Sequence, residues 1–439
     1  MAEGVSSDGG TAGRLAFLGL IGTVLVGLGM PTLQGLGDNA FLMLVVASGV
    51  IAVLGARLEG VEERRALTVI LGTGLAMRAL ALSAPPILST DIFRYVWDGI
   101  VQGAGVNPYR YVPADPALAS LRAASVYPFI NRADYAVTIY PPVAQAFFFL
   151  VTRASESPLA IKVALVACEG ATVAALIGLL RLTGQPLTRV AAYAWHPLPI
   201  WEIAGQGHID GLMTALMMLG LWIALGLGQR YAGAGAIVLA ALAKPFALIA
   251  LPGLWRPWDW RMIGLVPLVI AAAYLPYLSV GGGVLGFLAT GYVQEEGLSS
   301  GWGFTLLRLW RFSVGEWPHD TGIYLGLCLA ILAALALRTG FRRGRTPERS
   351  LRDINLSIVM LLFLLSPEFP WYLLMAVPFL SIAATLPGWV LTVGGFMLYD
   401  VVPGDPQLSY DDRSAILAAL VAATALAQAA FMRRSRAFR

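Results

Sequence analysis

Asp91 and Asp98 are the two residues of this chain best suited to moving a proton. They lie in Ser89-Thr90-Asp91-Ile92-Phe93-Arg94-Tyr95-Val96-Trp97-Asp98-Gly99, with Asn107-Pro108-Tyr109-Arg110-Tyr111 close behind. Their spacing is close to two turns, so a helix here sets both carboxylates on one face. A carboxylate partly removed from water at a membrane boundary is suited to general-base work. The plainer reading is that Asp91 caps a short helix after Ser89-Thr90, and spacing leaves both open.

Other polar residues stand out against apolar surroundings. His208-Ile209-Asp210 opens an apolar helix, whose positive end favours an anion, although His208 pairing with a carboxylate is at least as good a reading. The three histidines, His196, His208 and His319, lack a metal-ligand spacing such as His-Glu-x-x-His. The two lysines, Lys162 and Lys244, both fall in apolar stretches, where a charge is costly and is a functional hypothesis by default. Lys162 can snorkel to the interface. Lys244, beside Pro245, is the better candidate for a phosphate. Glu169 in mid-helix and Glu368 between two prolines read as paired acids slightly ahead of chemistry. Arg308 and Arg311 sit among Trp302, Trp310 and Trp317, a common interfacial pattern.

The elements that must position these groups are membrane helices. Of 439 residues, 58% are hydrophobic and 13% charged, about half the charge of a soluble domain, and mean hydropathy is +0.72. The net charge of +4 comes from arginines in short loops, so it marks topology and not nucleic-acid binding. Cys168 and Cys328 lie in apolar runs and suggest neither a disulfide nor a metal knuckle. The expected fold is an all-α polytopic bundle of about 13–14 membrane segments. Residues 1–13 read as a disordered cytoplasmic tail, 14–432 as one integral membrane domain, and 433–439 as a basic cytoplasmic tail. The first apolar run lacks a cleavage signature and reads as an uncleaved helix.

Orientation follows from the arginines. Basic loops at 57–65, 181–189, 338–352 and 433–439 are expected in the cytoplasm, while 280–302 and 400–412 carry carboxylates and no Lys or Arg. Helices near 14–32, 38–56 and 66–84 place 85–157 outside as the long first external loop. Further spans are expected near 158–181, 189–204, 209–227, 262–279, 321–338, 353–366, 371–385, 388–402 and 413–432. The apolar stretch after Tyr140-Pro141-Pro142 is too short to cross and reads as re-entrant or interfacial. The stretch 231–255 reads as broken at Lys244-Pro245.

The segment Thr90 to Gly99 with Asn107-Pro108-Tyr109 and Tyr140-Pro141-Pro142 resembles the first external loop of polyprenyl-phosphate-sugar-dependent glycosyltransferases of the GT-C fold. Trp195-His196-Pro197-Leu198, Gly205-Gln206-Gly207-His208-Ile209-Asp210 and Lys244-Pro245-Phe246 look like later landmarks of the same enzymes. The bacterial polyprenol-phosphomannose-dependent mannosyltransferase-like group is the nearest resemblance. It implies inverting transfer of a sugar, mannose favoured, from a lipid-phosphate donor to an acceptor hydroxyl outside the bacterial inner membrane. The catalytic pair is then Asp91 as general base and Asp98 as positioning residue. Arg94, Lys244 and His208 are donor-phosphate candidates. Tyr95, Trp97, Tyr109 and Tyr140 are candidates for stacking on the sugar or gripping the lipid, and Asn107, Asp210 and Glu368 for other substrate contacts. The partners implied are the lipid-linked donor, a glycan, lipid or other acceptor and the bilayer, with no nucleic acid, cofactor or metal. With no separate soluble domain in the C-terminal half, acceptor recognition falls to 280–320 and 366–372 or to a partner. The alternative class is a secondary transporter or lipid-linked-sugar flippase, with Lys244 and Glu169 lining a path at the midplane.

Overall fold

In lipid each backbone amide needs an internal partner, which leaves helices as the simplest spanning structure for uninterrupted apolar runs. The computed structural model describes residues 3–35, 38–399 and 408–437, and every element among them is helical. Among the described residues, six helices are long and apolar enough to cross a bilayer: Gly9–Leu33, Glu63–Leu82, Pro158–Leu182, Trp260–Leu285, Asp320–Phe341 and Tyr410–Arg434. Six shorter apolar helices accompany them, among them Pro142–Ala154, Asp210–Leu225 and Arg230–Ala241. The chain is therefore an all-helical integral membrane protein, with fewer full-length spans than the count of apolar runs suggested.

The difference has a local cause. The span expected over 189–204 is a series of short turns, Leu187–Val190, Ala191–Ala194, Pro197–Pro199 and a π-type segment Ile200–Gly205. Pro197 and Pro199 remove backbone donors there and crowd the preceding turn. The span expected over 371–385 likewise divides into a 3-10 segment, Pro370–Ala376, and a short helix, Val377–Ile382. At the N-terminus a helix runs over Glu3–Gly35, and the last one runs over Tyr410–Ala437. Both therefore continue through stretches read as tails, apart from residues 1–2 and 438–439, which lie outside the described residues. Of the carboxylate-bearing segment 400–412, only 408–412 is described.

The chain sorts into two compact units. One comprises Met1–Ala81, Leu176–Trp201 and Gly301–Arg439. There Arg78 donates to the Ala194 carbonyl at 2.7 Å. His196 is buried, stacked on Trp389 and bonded to Thr392 at 3.0 Å. Arg311 clamps Asp320 with two bonds of 2.6 and 2.7 Å.

The other unit comprises Leu82–Ala175 and Glu202–Ser300 and holds most of the candidate chemistry. Its first helix, α1 (Asp91–Gly103), leads into an irregular polar stretch with 3-10 turns at Pro116–Leu121 and Tyr127–Phe129. The chain then enters α2 (Pro142–Ala154), which packs on α1, with its first turn stiffened by Pro141-Pro142. Two more helices, α3 (Asp210–Leu225) and α4 (Arg230–Ala241), form an antiparallel pair. This hairpin returns the residues after α4 to the end where α3 begins. Its close approach needs glycine, because a Cβ on Gly220 would fall on the Gly233 carbonyl and one on Gly233 on the Gly220 carbonyl. Gly233→Ala is expected to cost about 1–3 kcal/mol by overpacking, read as a lowered melting temperature of the detergent-solubilised protein.

Candidate functional site

Asp98 is the most enclosed acid of the first polar loop, at 1% exposure, and its bonds come from three parts of the chain. Arg94, one turn earlier on α1, donates from Nε to Oδ1 at 2.9 Å. Thr138 Oγ1 and Gln145 Nε2 donate to Oδ2 at 2.5 and 2.9 Å. Arg94 also donates to the Ala136 carbonyl at 3.0 Å. One ion pair thus ties α1 to the incoming loop and to α2. Arg94, read from the sequence as a phosphate candidate, is buried with its guanidinium facing Asp98 and a backbone carbonyl.

Asp91 opens the same helix under different conditions. It is half-buried, and its carboxylate accepts from Asn131 Nδ2 at 2.8 Å and from the Tyr140 hydroxyl at 3.1 Å. Thr90 occupies the cap position without a side-chain cap bond, while Ser89 Oγ accepts from the Asp91 amide at 3.2 Å. The Asp91 carboxylate is thus turned toward loop residues and not toward the helix amides, so the capping reading does not describe it.

The aromatic candidates are all buried. Tyr95 and Trp97 are each 1% exposed. Tyr95 stacks on Phe148 and meets Tyr140 edge-on, and Trp97 lies against Tyr127. Tyr109 donates to the Tyr140 carbonyl at 2.6 Å. These rings are packed inside the unit. Burial first, then the Asp91 and Asp210 carboxylates, push the Tyr95 phenol well above its ordinary pKa, so it stays protonated. Asn107 donates to the Tyr277 carbonyl at 2.8 Å and to Ser279 at 2.9 Å, and accepts from the Tyr109 amide. It braces the loop.

Lys244 follows α4 directly and meets the start of α3, where its Nζ lies 2.7 Å from Asp210 Oδ2. The other oxygen of this enclosed carboxylate, Oδ1, has no hydrogen-bond partner. His208 Nε2 lies 3.4 Å from Glu202 Oε2, both buried, as the carboxylate-pairing reading anticipated. Burial first, then the Lys244 ammonium, hold the His208 imidazole well below its ordinary pKa and so neutral, which limits it as an anion ligand. Lys162 does not snorkel: it is buried and donates to the Ala84 carbonyl at 2.5 Å. Glu368 belongs to the other unit, where it is exposed, after the left-handed Ser366 that ends helix Pro347–Leu365.

Several contributors gave little sign of themselves in the sequence. Asn131, Thr138 and Gln145 are ordinary polar residues whose partners lie about forty positions away or more. Glu202 carried a signal that was missed, an acid inside the apolar stretch Ile200–Gly205. Among the described residues, no group of three or more histidine, cysteine or acidic side chains is arranged to hold a metal ion.

These features define a polytopic membrane protein with a half-buried carboxylate and, in the same unit, an acid–lysine pair. Residues 17–258 match the MptA_B family, described as alpha-(1->6)-mannopyranosyltransferase, N-terminal domain. That match spans more than half of the chain, and the chain belongs to this family of mannosyltransferases. No curated protein and no solved structure matches it.

The Arg94–Asp98 pair yields a stability test. Arg94→Leu strands a buried carboxylate and is expected to cost about 3–5 kcal/mol, whereas Arg94→Leu with Asp98→Leu recovers a large part of that loss. Thermal unfolding of both variants in detergent checks the non-additivity.

Proposed function

We propose that the protein transfers mannose from a polyprenyl-phosphate donor to an acceptor hydroxyl on the external face of the membrane, with Asp91 as general base and inversion at the anomeric carbon. The observation that carries this reading is the setting of Asp91. It is a half-buried carboxylate oriented by Asn131 and Tyr140 in a chain of the mannosyltransferase family. The GT-C likeness of the first loop supports the lipid-linked donor, and the basic loops at 57–65 and 338–352 support the external placement of 85–157.

In this reading the acceptor hydroxyl gives its proton to the Asp91 carboxylate as its oxygen attacks C1 of the mannose. The bond from C1 to the phosphate oxygen breaks, and its electron pair leaves with the polyprenyl phosphate. That leaving group carries negative charge throughout, so fixed positive charge near it lowers the barrier. Lys244 supplies it. Its ammonium is held by Asp210 at 2.7 Å and its side chain keeps 14% exposure. Asp210 then aims Lys244, and His208 with Glu202 braces the turn before it. Asp98 acts through α1, by holding the helix whose first residue is Asp91. Tyr140 reaches Asp91 directly and is the one aromatic candidate proposed next to the reacting groups. For Tyr95, Trp97, Asn107 and Tyr109, the proposed role is to shape the loop.

The test is turnover of a synthetic short-chain polyprenyl-phosphate mannose by the protein in nanodiscs. Asp91→Asn is expected to lower kcat by about 10²–10⁴-fold with donor binding retained, and unchanged turnover would remove Asp91 from the role of base. Lys244→Ala is expected to raise the donor KM at least tenfold. An equal KM for the two proteins would take the phosphate away from Lys244.

A further inference from the structure

Asn131 and Arg132 are neighbours with different partners. Asn131 Nδ2 holds Asp91 Oδ1 at 2.8 Å. Arg132 reaches the segment after helix Trp260–Tyr274, where its Nε lies 2.5 Å from Glu295 Oε2 and its Nη2 lies 3.1 Å from Glu296 Oε1. Tyr135 donates to the other oxygen of Glu295 at 2.5 Å. Arg132 has φ +55°, a left-handed conformation uncommon for a residue with a side chain. Such a conformation persists where surrounding contacts over-determine it. Here the contacts come from both sides, the carboxylates on one and Asp91 on the other. Desolvation opposes the charge on Arg132, but Glu295, Glu296 and then Asp91 outweigh it and raise its pKa.

The same two stretches meet again close by. The Phe287 amide donates to the Thr138 carbonyl at 3.3 Å, and the Phe287 ring packs edge-on against Tyr135. Gly286 makes this approach possible: its φ is +57°, and a Cβ there would collide with the Thr138 carbonyl. Thr138 is itself a ligand of Asp98. The segment 286–296 therefore touches the loop at Arg132, Tyr135 and Thr138, the first next to Asn131 and the last itself a partner of Asp98.

We infer that Arg132 is a positioning residue. Through its clamp on Glu295 and Glu296 it fixes the 131–132 turn, and through Asn131 it fixes the rotamer of Asp91, so seating of the acidic segment 286–296 sets the geometry of the base. The inference rests on the reading of Asp91 as that base. It assigns the acidic segment a part in the reaction with no contact to the reacting atoms. It also gives the strained backbone at Arg132 a purpose, since a relaxed turn would swing Asn131 off Asp91.

Charge reversal tests this in the full-length protein in nanodiscs, with polyprenyl-phosphate mannose as donor. Arg132→Glu, and separately Glu295→Arg, is expected to lower kcat at least tenfold, change the donor KM less than threefold, and speed amide hydrogen exchange across 127–135. Combining the two restores the opposite-charge pair, and is expected to recover at least fivefold in kcat and to slow exchange again. A double variant no better than the worse single variant overturns the clamp. Faster exchange in the single variants with unchanged kcat overturns its link to Asp91. The exchange readout does not depend on chemistry, so an active Asp91→Asn protein would remove the base while the clamp is still judged by exchange and rescue.

Discussion

A carboxylate at 1% exposure cannot keep its charge without partners, and the first polar loop is organised around supplying them to Asp98. Arg94 comes from the same helix one turn away. Thr138 comes from the loop and Gln145 from the next helix. Because each partner lies on a different stretch, satisfying one charge fixes the relative placement of all three. Asp91 gains most from this. It stands on the first turn of a helix whose second turn is locked, so its own position needs only the lighter contacts of Asn131 and Tyr140.

The charged groups of this unit are graded by enclosure, and the grading suits a division of labour. Arg94 with Asp98 is sealed and serves the scaffold. Lys244 with Asp210 is intermediate, since the carboxylate is enclosed and the lysine side chain is 14% exposed. That combination holds a cation in place at the margin of the enclosed region. Arg132 with Glu295 and Glu296 is the most open of the three, as befits a contact between an irregular loop and a second irregular segment. In a chain with this little charge, each ion pair that is retained against its desolvation cost asks for a reason.

The sequence made the helical class and the membrane character legible. The spacing of Asp91 and Asp98 sets both on one face if the stretch is helical, and α1 spans both. The break at Lys244-Pro245 is present, with α4 ending at Ala241 and a 3-10 segment starting at Pro245. Hydropathy was less informative about continuity, because Pro197, Pro199 and Pro378 lie in runs that are apolar enough to look like spans but do not continue as one helix. The functions of single polar side chains were the least legible. Arg94 drew notice as a cation in the first loop, and nothing local showed that Asp98 holds it; aromatic type likewise does not reveal the burial of Trp97. Contacts such as Asn131 to Asp91 or Arg132 to Glu295 join residues far apart in the chain and leave no local pattern.

The central claim is a mannosyl transfer that draws on a lipid-linked donor, and the choice of donor tests it most directly. The purified protein, reconstituted in proteoliposomes, would be offered polyprenyl-phosphate mannose or a nucleotide-linked mannose, each with an α-mannoside acceptor, and the extended product quantified by mass spectrometry. The account predicts product from the lipid-linked donor alone. Product formed from the nucleotide sugar at a comparable rate would contradict it.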